Sequence, residues 1–196
     1  MVLFKQILTR SALLVVAAAF ASGCAWVPQK LIVAPRVQMP VSNVGNDAKV
    51  VVQVIDARPS LRIGYRGMDY KGAEITTDQA LTPIFQQKII EGLTQQGFQA
   101  TASSEGPARV LKVEIRLLQY TTEMEFWKGT IRAKAVLQAH CKTENFSYDQ
   151  GYASEREGKA SEAPSAKTNA QLINGVISDV LERLLSDQRL LRTLAN

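Results

Sequence analysis

The sequence predicts an α+β domain, an antiparallel sheet of about four to six strands with two helices packed on one face. Three observations predict it. Arg109 to Tyr120 and Thr130 to Cys141 alternate apolar and polar residues, the period-two pattern of strands with one wet face. Lys49 to Asp56 (KVVVQVID) is a run rich in β-branched residues. Asp78 to Gln96, and the stretch from Thr168 to about Leu185, space their apolar residues by three and four, as helices that lay one side on a sheet. The order is strand, helix, three-strand meander, helix, with no internal repeat and no low-complexity stretch.

The first 24 of the 196 residues read as a processing segment. Lys5 and Arg10 give a positive start, and Ser11 to Phe20 (SALLVVAAAF) is an apolar run. A membrane-spanning helix needs about 20 apolar residues, so this run suits an export signal. Ala21-Ser22-Gly23-Cys24 follows. Small residues before a cysteine let a lipoprotein signal peptidase approach the backbone. The Cys24 thiol would then take a diacylglyceryl group, and cleavage would free its amine for an N-acyl chain. Ala21 stands where Leu is usual. Each buried methylene contributes about 0.8 kcal/mol, so two or three chains anchor firmly where one holds weakly. Ala25 is not the Asp that commonly retains such proteins at the inner membrane, which favours the periplasmic face of the outer membrane.

Residues 1–23 are therefore expected to be a signal peptide, and 24–46 a lipidated cysteine with a proline-containing tether or edge segment. Residues 47–196 would form one periplasmic domain. Removing the signal leaves 173 residues, enough for one core. The formal charge of +5 falls to +3 when Lys5 and Arg10 leave, and no block of five basic residues occurs, so nucleic acid is not an expected partner. Cys141 is the single cysteine left beside Cys24, so no disulfide framework is possible within the chain.

Pro28, Pro35 and Pro40 forbid helix and favour extended chain, and Leu31-Ile32-Val33 is apolar enough to form an edge strand or to dock. Lys49 to Asp56 places valine and isoleucine on both faces, as a central strand does, and Pro59 ends it. Leu61 to Arg66 and Ala73 to Thr76 suggest a small hairpin with Gly67-Met68-Asp69 as turn material. Asp78 to Gln96 repeats Leu81, Phe85, Ile89 and Leu93. Thr77 or Asp78 serves as cap, or Thr82 if the helix starts at Pro83, and Gly97 stands at the left-handed C-terminal position. In the meander, Leu111, Val113, Ile115 and Leu117 face one side. So do Ile131, Ala133, Ala135, Leu137, Ala139 and Cys141. The turn is expected over Glu125 to Gly129. A third strand from Asn145 to Arg156 carries Phe146, Tyr148 and Tyr152 on one face. Ser154 to Lys167 reads as turn-like. Thr168 to Gln171 fits a capping box that opens the last helix.

Catalytic constellations are scarce. His140 is the only histidine, and it points to the opposite strand face from its neighbour Cys141, so the two do not converge on one metal. There is no GxSxG elbow and no phosphate-binding glycine loop. Glu123 and Glu125, alternating with Met124 and Phe126 near the hairpin tip, are a conceivable carboxylate pair of the kind glycoside hydrolysis uses, and exposed loop charge explains them more simply. Asp56 and Arg58 share a strand face and fit a structural ion pair. Phe126, Trp127 and Lys128, an aromatic pair beside a lysine at the expected hairpin tip, are candidate partner-contact residues.

The segments LIVAPRV, VVVQVIDARP, GLTQQGF and SDQRLLRTL, together with the Cys24 motif, resemble the YajG family of Gram-negative lipoproteins over most of the chain. These motifs mark a fold more than a site. The resemblance implies an envelope location and carries over no catalytic residue. The expectation is an outer-membrane lipoprotein that binds or scaffolds an envelope protein, without catalysis, metal or cofactor beyond its lipid. An accessory subunit of a transport or flagellar machine is the alternative, and a cell-wall glycan hydrolase using Glu123 and Glu125 is the third reading.

Overall fold

The computed structural model describes residues 27–66, 72–103, 109–125, 128–143, 146–160 and 164–196, with backbone alone for Met124, Glu125, Lys128 and Ala160. Among these residues are eight strands and three helices: β1 (Gln29–Lys30), β2 (Lys49–Asp56), β3 (Gly64–Arg66), β4 (Ala73–Thr76), α1 (Leu81–Gln95), β5 (Gln99–Thr101), β6 (Arg109–Glu125), β7 (Lys128–Lys142), β8 (Ser147–Ala160), α2 (Ala166–Leu185) and α3 (Gln188–Ala195). Turn residues Gly67 to Asp69 lie outside the described residues.

The expected antiparallel sheet of four to six strands with two helices is overturned. The sheet is mixed and eight-stranded, and four of its seven strand pairs are parallel: β1 with β4, β2 with β5, β2 with β6 and β3 with β6. The sequence hides this for two reasons. The strands that change the class, β1, β3 and β5, are two or three residues long and leave no periodicity to read. Parallel or antiparallel pairing is set by connections, and here β2 reaches β5 only after β3, β4 and α1 have been laid down.

Long β6 organises the sheet. One edge pairs with β7 along its whole length, from Val110↔Lys142 to Glu125↔Lys128, and β7 pairs antiparallel with β8. The other edge is shared, with β2 beside Arg109–Ile115 and Gly64 of β3 beside Tyr120. A Cβ on Gly64 would stand 2.2 Å from the Tyr120 carbonyl oxygen, so this approach admits only glycine.

A bulge at Arg116 shifts the register of β6 between Ile115 and Leu117. Leu111, Val113 and Ile115 are buried before it, and Leu118 and Tyr120 after it. Leu117 was expected inward; the extra residue reverses the alternation and moves Leu118 in. In β7 the six odd-numbered residues from Ile131 to Cys141 are all buried. β8 runs on to Ala160 through a stretch expected to be turn-like, and Phe146 precedes it, exposed.

The helices cover one face. Leu81, Phe85, Ile89 and Leu93 of α1 and Ile173, Val176, Ile177, Val180 and Leu184 of α2 are buried with the inward residues of β2, β6 and β7. Helix α1 starts at Leu81 after Ala80, without a side-chain cap. Pro83 is its third residue, where an N–H has no intrahelical acceptor, so the proline costs nothing there. At the other end Gly97 has φ +84°, its N–H bonds to Thr94 O at 3.1 Å, and Phe98 N–H reaches Leu93 O at 3.2 Å. That is a Schellman cap, with the apolar Leu93 and Phe98 that flank it both buried. Helix α2 is capped by Ser165, whose Oγ accepts the Thr168 N–H at 3.1 Å, so the expected start at Thr168 moves three residues upstream. It stops at Leu185, and Asp187 caps a separate helix, α3.

The proline segment is laid against the helices as a strap. Leu31, Val33 and Pro35 are buried, with Val37 and Met39 packed on the core, while the even-numbered residues between them stay outside. The N–H groups of Ala34, Arg36 and Gln38 donate in turn to Asn174 Oδ1 (2.8 Å), Ser178 Oγ (3.0 Å) and Glu182 Oε1 (3.2 Å). Two extended residues advance about 6.6 Å and four helical residues about 6 Å, so alternate strap amides meet one stripe of α2. Pro35 falls between the donors and loses nothing. Pro40, next in the donor series, has no N–H, and the ladder ends before it.

Candidate functional site

Asp56 and Arg58 form a bidentate pair at the end of β2, with Arg58 Nε to Asp56 Oδ1 and Nη2 to Oδ2 both at 2.8 Å. The Arg58 side chain is 3% exposed. Its guanidinium holds the Asp56 carboxyl below the usual carboxylate range, chiefly through these hydrogen bonds. The same guanidinium borders a surface cleft of about 210 Å³, lined also by Ser60, Arg62, Tyr65 and Gln119. Arg62 sits over the Tyr65 ring, 4.5 Å from its centre, and reaches Glu74 Oε1 at 3.2 Å. The cleft is small and its cationic groups are already engaged.

The open face of the sheet carries the second charged cluster. Glu114 accepts from Lys112 at 2.7 Å and Arg116 at 2.5 Å, with His140 Nε2 at 3.9 Å. The Lys112 hydrogen bond is the main cause of its lowered carboxyl pKa. His140 Nδ1 contacts Asp149 on the neighbouring strand. Cys141 points the other way, into the core, and burial pushes its thiol up to about 11. Among the described residues no group of three His, Cys, Asp or Glu side chains could hold a metal ion. Glu123 is exposed and bonded to Arg132 at 2.5 Å; the Glu125 side chain lies outside the described residues. Cys24, Phe126 and Trp127 also lie outside them, and of Lys128 only the backbone is described, pairing with Glu125 at the end of the hairpin.

Two clusters escaped sequence reasoning. Asp187 Oδ2 accepts from Tyr152 (2.7 Å) and Tyr148 (2.9 Å), and its Oδ1 caps α3 through Arg189 N–H and Leu190 N–H. Burial alone would raise this carboxyl, but the tyrosine and backbone hydrogen bonds outweigh it and hold it low. Buried Arg66, at the end of β3, donates to the carbonyl oxygens of Val27 (3.4 Å) and Pro164 (3.3 Å). The side-chain amides of Gln29 and Asn169 bond beside it at 2.7 Å. Apart from the local α3 cap, the partners in both clusters are 35 to 140 residues apart in sequence, so no local spacing announces them.

The Arg66 cluster fastens the domain to its own N-terminal segment, and the strap that follows is where the comparison with known proteins begins. Residues 35–195 match a family described as "Uncharacterized lipoprotein". The chain belongs to this lipoprotein family. Membership supports association with a membrane through a covalent lipid, which is consistent with modification of a cysteine. Among the described residues no helix is long and apolar enough to cross a membrane. Curated proteins give no match. A solved structure described as "Crystal structure of uncharacterized protein" is similar at 13% identity and a TM-score of 0.40, covering 78% of this chain and 99% of that one. At that score the likeness carries no argument for this family member.

Proposed function

We propose that the protein is a non-catalytic binding or scaffolding lipoprotein of the YajG type. Diacylglyceryl and N-acyl chains on Cys24 anchor it to the periplasmic face of the outer membrane, where the domain engages an envelope protein. The observation that carries this reading is the strap. In a protein of a lipoprotein family, the chain leaving the anchor is built into the core from Leu31 onward and fastened by Arg66 at Val27. A domain gripped this way is displayed in a fixed attitude, which suits a scaffold. Phe126, Trp127 and Lys128 belong to the same reading as contact residues.

Two measurements test it. Metabolic palmitate labelling should mark the protein and vanish in Cys24→Ser; a Cys24→Ser protein that still labels and stays with the outer membrane would falsify the anchor. Capture from detergent-solubilised envelopes after crosslinking in intact cells should recover one partner in stoichiometric amount. Repeated recovery of none, with no envelope phenotype on deletion, removes the scaffold.

A further inference from the structure

Among the described residues, Arg58 is the one charged side chain with a buried nitrogen that makes no hydrogen bond: its Nη1. Its Nε and Nη2 both donate to Asp56, so the carboxylate takes one edge of the guanidinium and leaves Nη1 over. Folded proteins pair such donors, because a buried N–H without an acceptor is costly. Arg58 also lines the cleft of about 210 Å³.

The cleft exists because two strands share one edge of β6. Strand β2 keeps to that edge as far as Ile115, whose carbonyl accepts the Ala57 N–H at 3.0 Å. Strand β3 arrives only at Tyr120, whose N–H donates to Ile63 O at 2.7 Å. The stretch of β6 from Leu117 to Gln119 lines the gap between them. Leu118, two residues before Tyr120 on the same strand, aims its N–H at the same edge.

The described lining residues include two arginines and no acid. Asp56 and Glu74 answer these cations from outside the lining, and neither arginine is engaged to capacity. Arg58 has Nη1 to spare. Arg62 gives Glu74 one hydrogen bond at 3.2 Å, and its side chain is 40% exposed. Ser60 Oγ accepts the Arg62 backbone N–H at 3.1 Å, which leaves its O–H as a further donor. Pro59 and Leu117 supply apolar wall. At about 30 Å³ per water, a cleft of this size suits a ligand of about six to ten non-hydrogen atoms.

We propose that this cleft binds a small carboxylate with a short apolar body. The carboxylate accepts from Arg58 Nη1 and Arg62, and the body lies on Pro59 and Leu117. The planar guanidinium fork matches carboxylate geometry, and the Leu118 N–H and Ser60 O–H add donors at the same place. Nη1 is closed to water, so binding turns the guanidinium slightly toward the cleft. The site stands apart from the Cys24 anchor and from the protein contact proposed above.

The test uses the full chain in detergent micelles and three probes: N-acetylalanine, butyrate, and N-acetylalaninamide, which keeps the body of the first without its charge. Nitrogen-15 NMR follows Arg58 Nε and the backbone amides of Gly64 and Leu118. Saturable shifts are expected with an acid and none with the amide. Saturation by N-acetylalanine but not butyrate assigns the site to a peptide chain end; saturation by butyrate assigns it to free acids. Arg58→Lys keeps a charge beside Asp56 but removes Nη1, and should weaken acid binding about tenfold or more. Arg62→Gln, at the exposed rim, should weaken it about threefold. Three results overturn the site: no saturable shift with either acid, equal shifts with the amide, or acid binding unchanged in folded Arg58→Lys. If the lysine variant does not fold, unchanged binding in Arg62→Gln overturns it instead.

Discussion

The hydroxyl of Tyr152 donates to Asp187 Oδ2 at 2.7 Å, joining edge strand β8 to the two-residue break between α2 and α3. Asp187 thus holds two tyrosines and starts a helix with one carboxylate. Asp187→Asn is expected to lower stability by about 1–2 kcal/mol at neutral pH. The folded carboxyl lies below its ordinary value of 3.8, so its contribution is present above that value and lost as pH falls through the folded value. The stability gap between wild type and variant should therefore close in acid. Denaturant melts across the acid range check this, and a gap that persists undiminished rules it out.

Asp56 is the only charge that answers Arg58 in its buried setting among the described contacts. Asp56→Asn leaves that guanidinium without its counter-charge and should cost about 3 kcal/mol. Combining it with Arg58→Met removes the stranded charge, so the double variant should be more stable than Asp56→Asn alone. Equal stability of the two would mean that the pair is not coupled.

Asn174 accepts the Ala34 N–H and donates to the Ile32 carbonyl at 3.0 Å, clamping the strap at two points. Asn174→Ala should cost about 1 kcal/mol overall. Hydrogen exchange locates the effect: the amides of Ala34 and Arg36 should lose protection by roughly fivefold, while those of β7 hold. Unchanged strap amides would show that apolar burial alone fastens the segment.

The Cys141 thiol is buried, with its pKa pushed up to about 11. It should resist maleimide at neutral pH in the native protein and react once denaturant exposes it. Labelling of the native state at the rate of a free thiol would contradict the burial.

Wherever one element supplies its own signal, the sequence was readable. The alternation in β7, the four-residue spacing in α1, the left-handed Gly97 and the Asp56–Arg58 spacing all express contacts made within a few residues. Errors arose where distant chain decides. Leu117 and Leu118 exchange faces because a bulge at Arg116 adjusts β6 to Val136, and no residue type marks it. Ser165, not Thr168, caps α2, and β8 runs on to Ala160 through residues whose polarity reads as a turn.

By itself the sequence determined the helical and long-strand segments, because each is a local pattern of volume and polarity. Tertiary structure alone decided the mixed sheet, the third helix and the strap. Parallel pairing, the Asp187 break and the match between alternate strap amides and one stripe of α2 are relations between segments far apart in the chain.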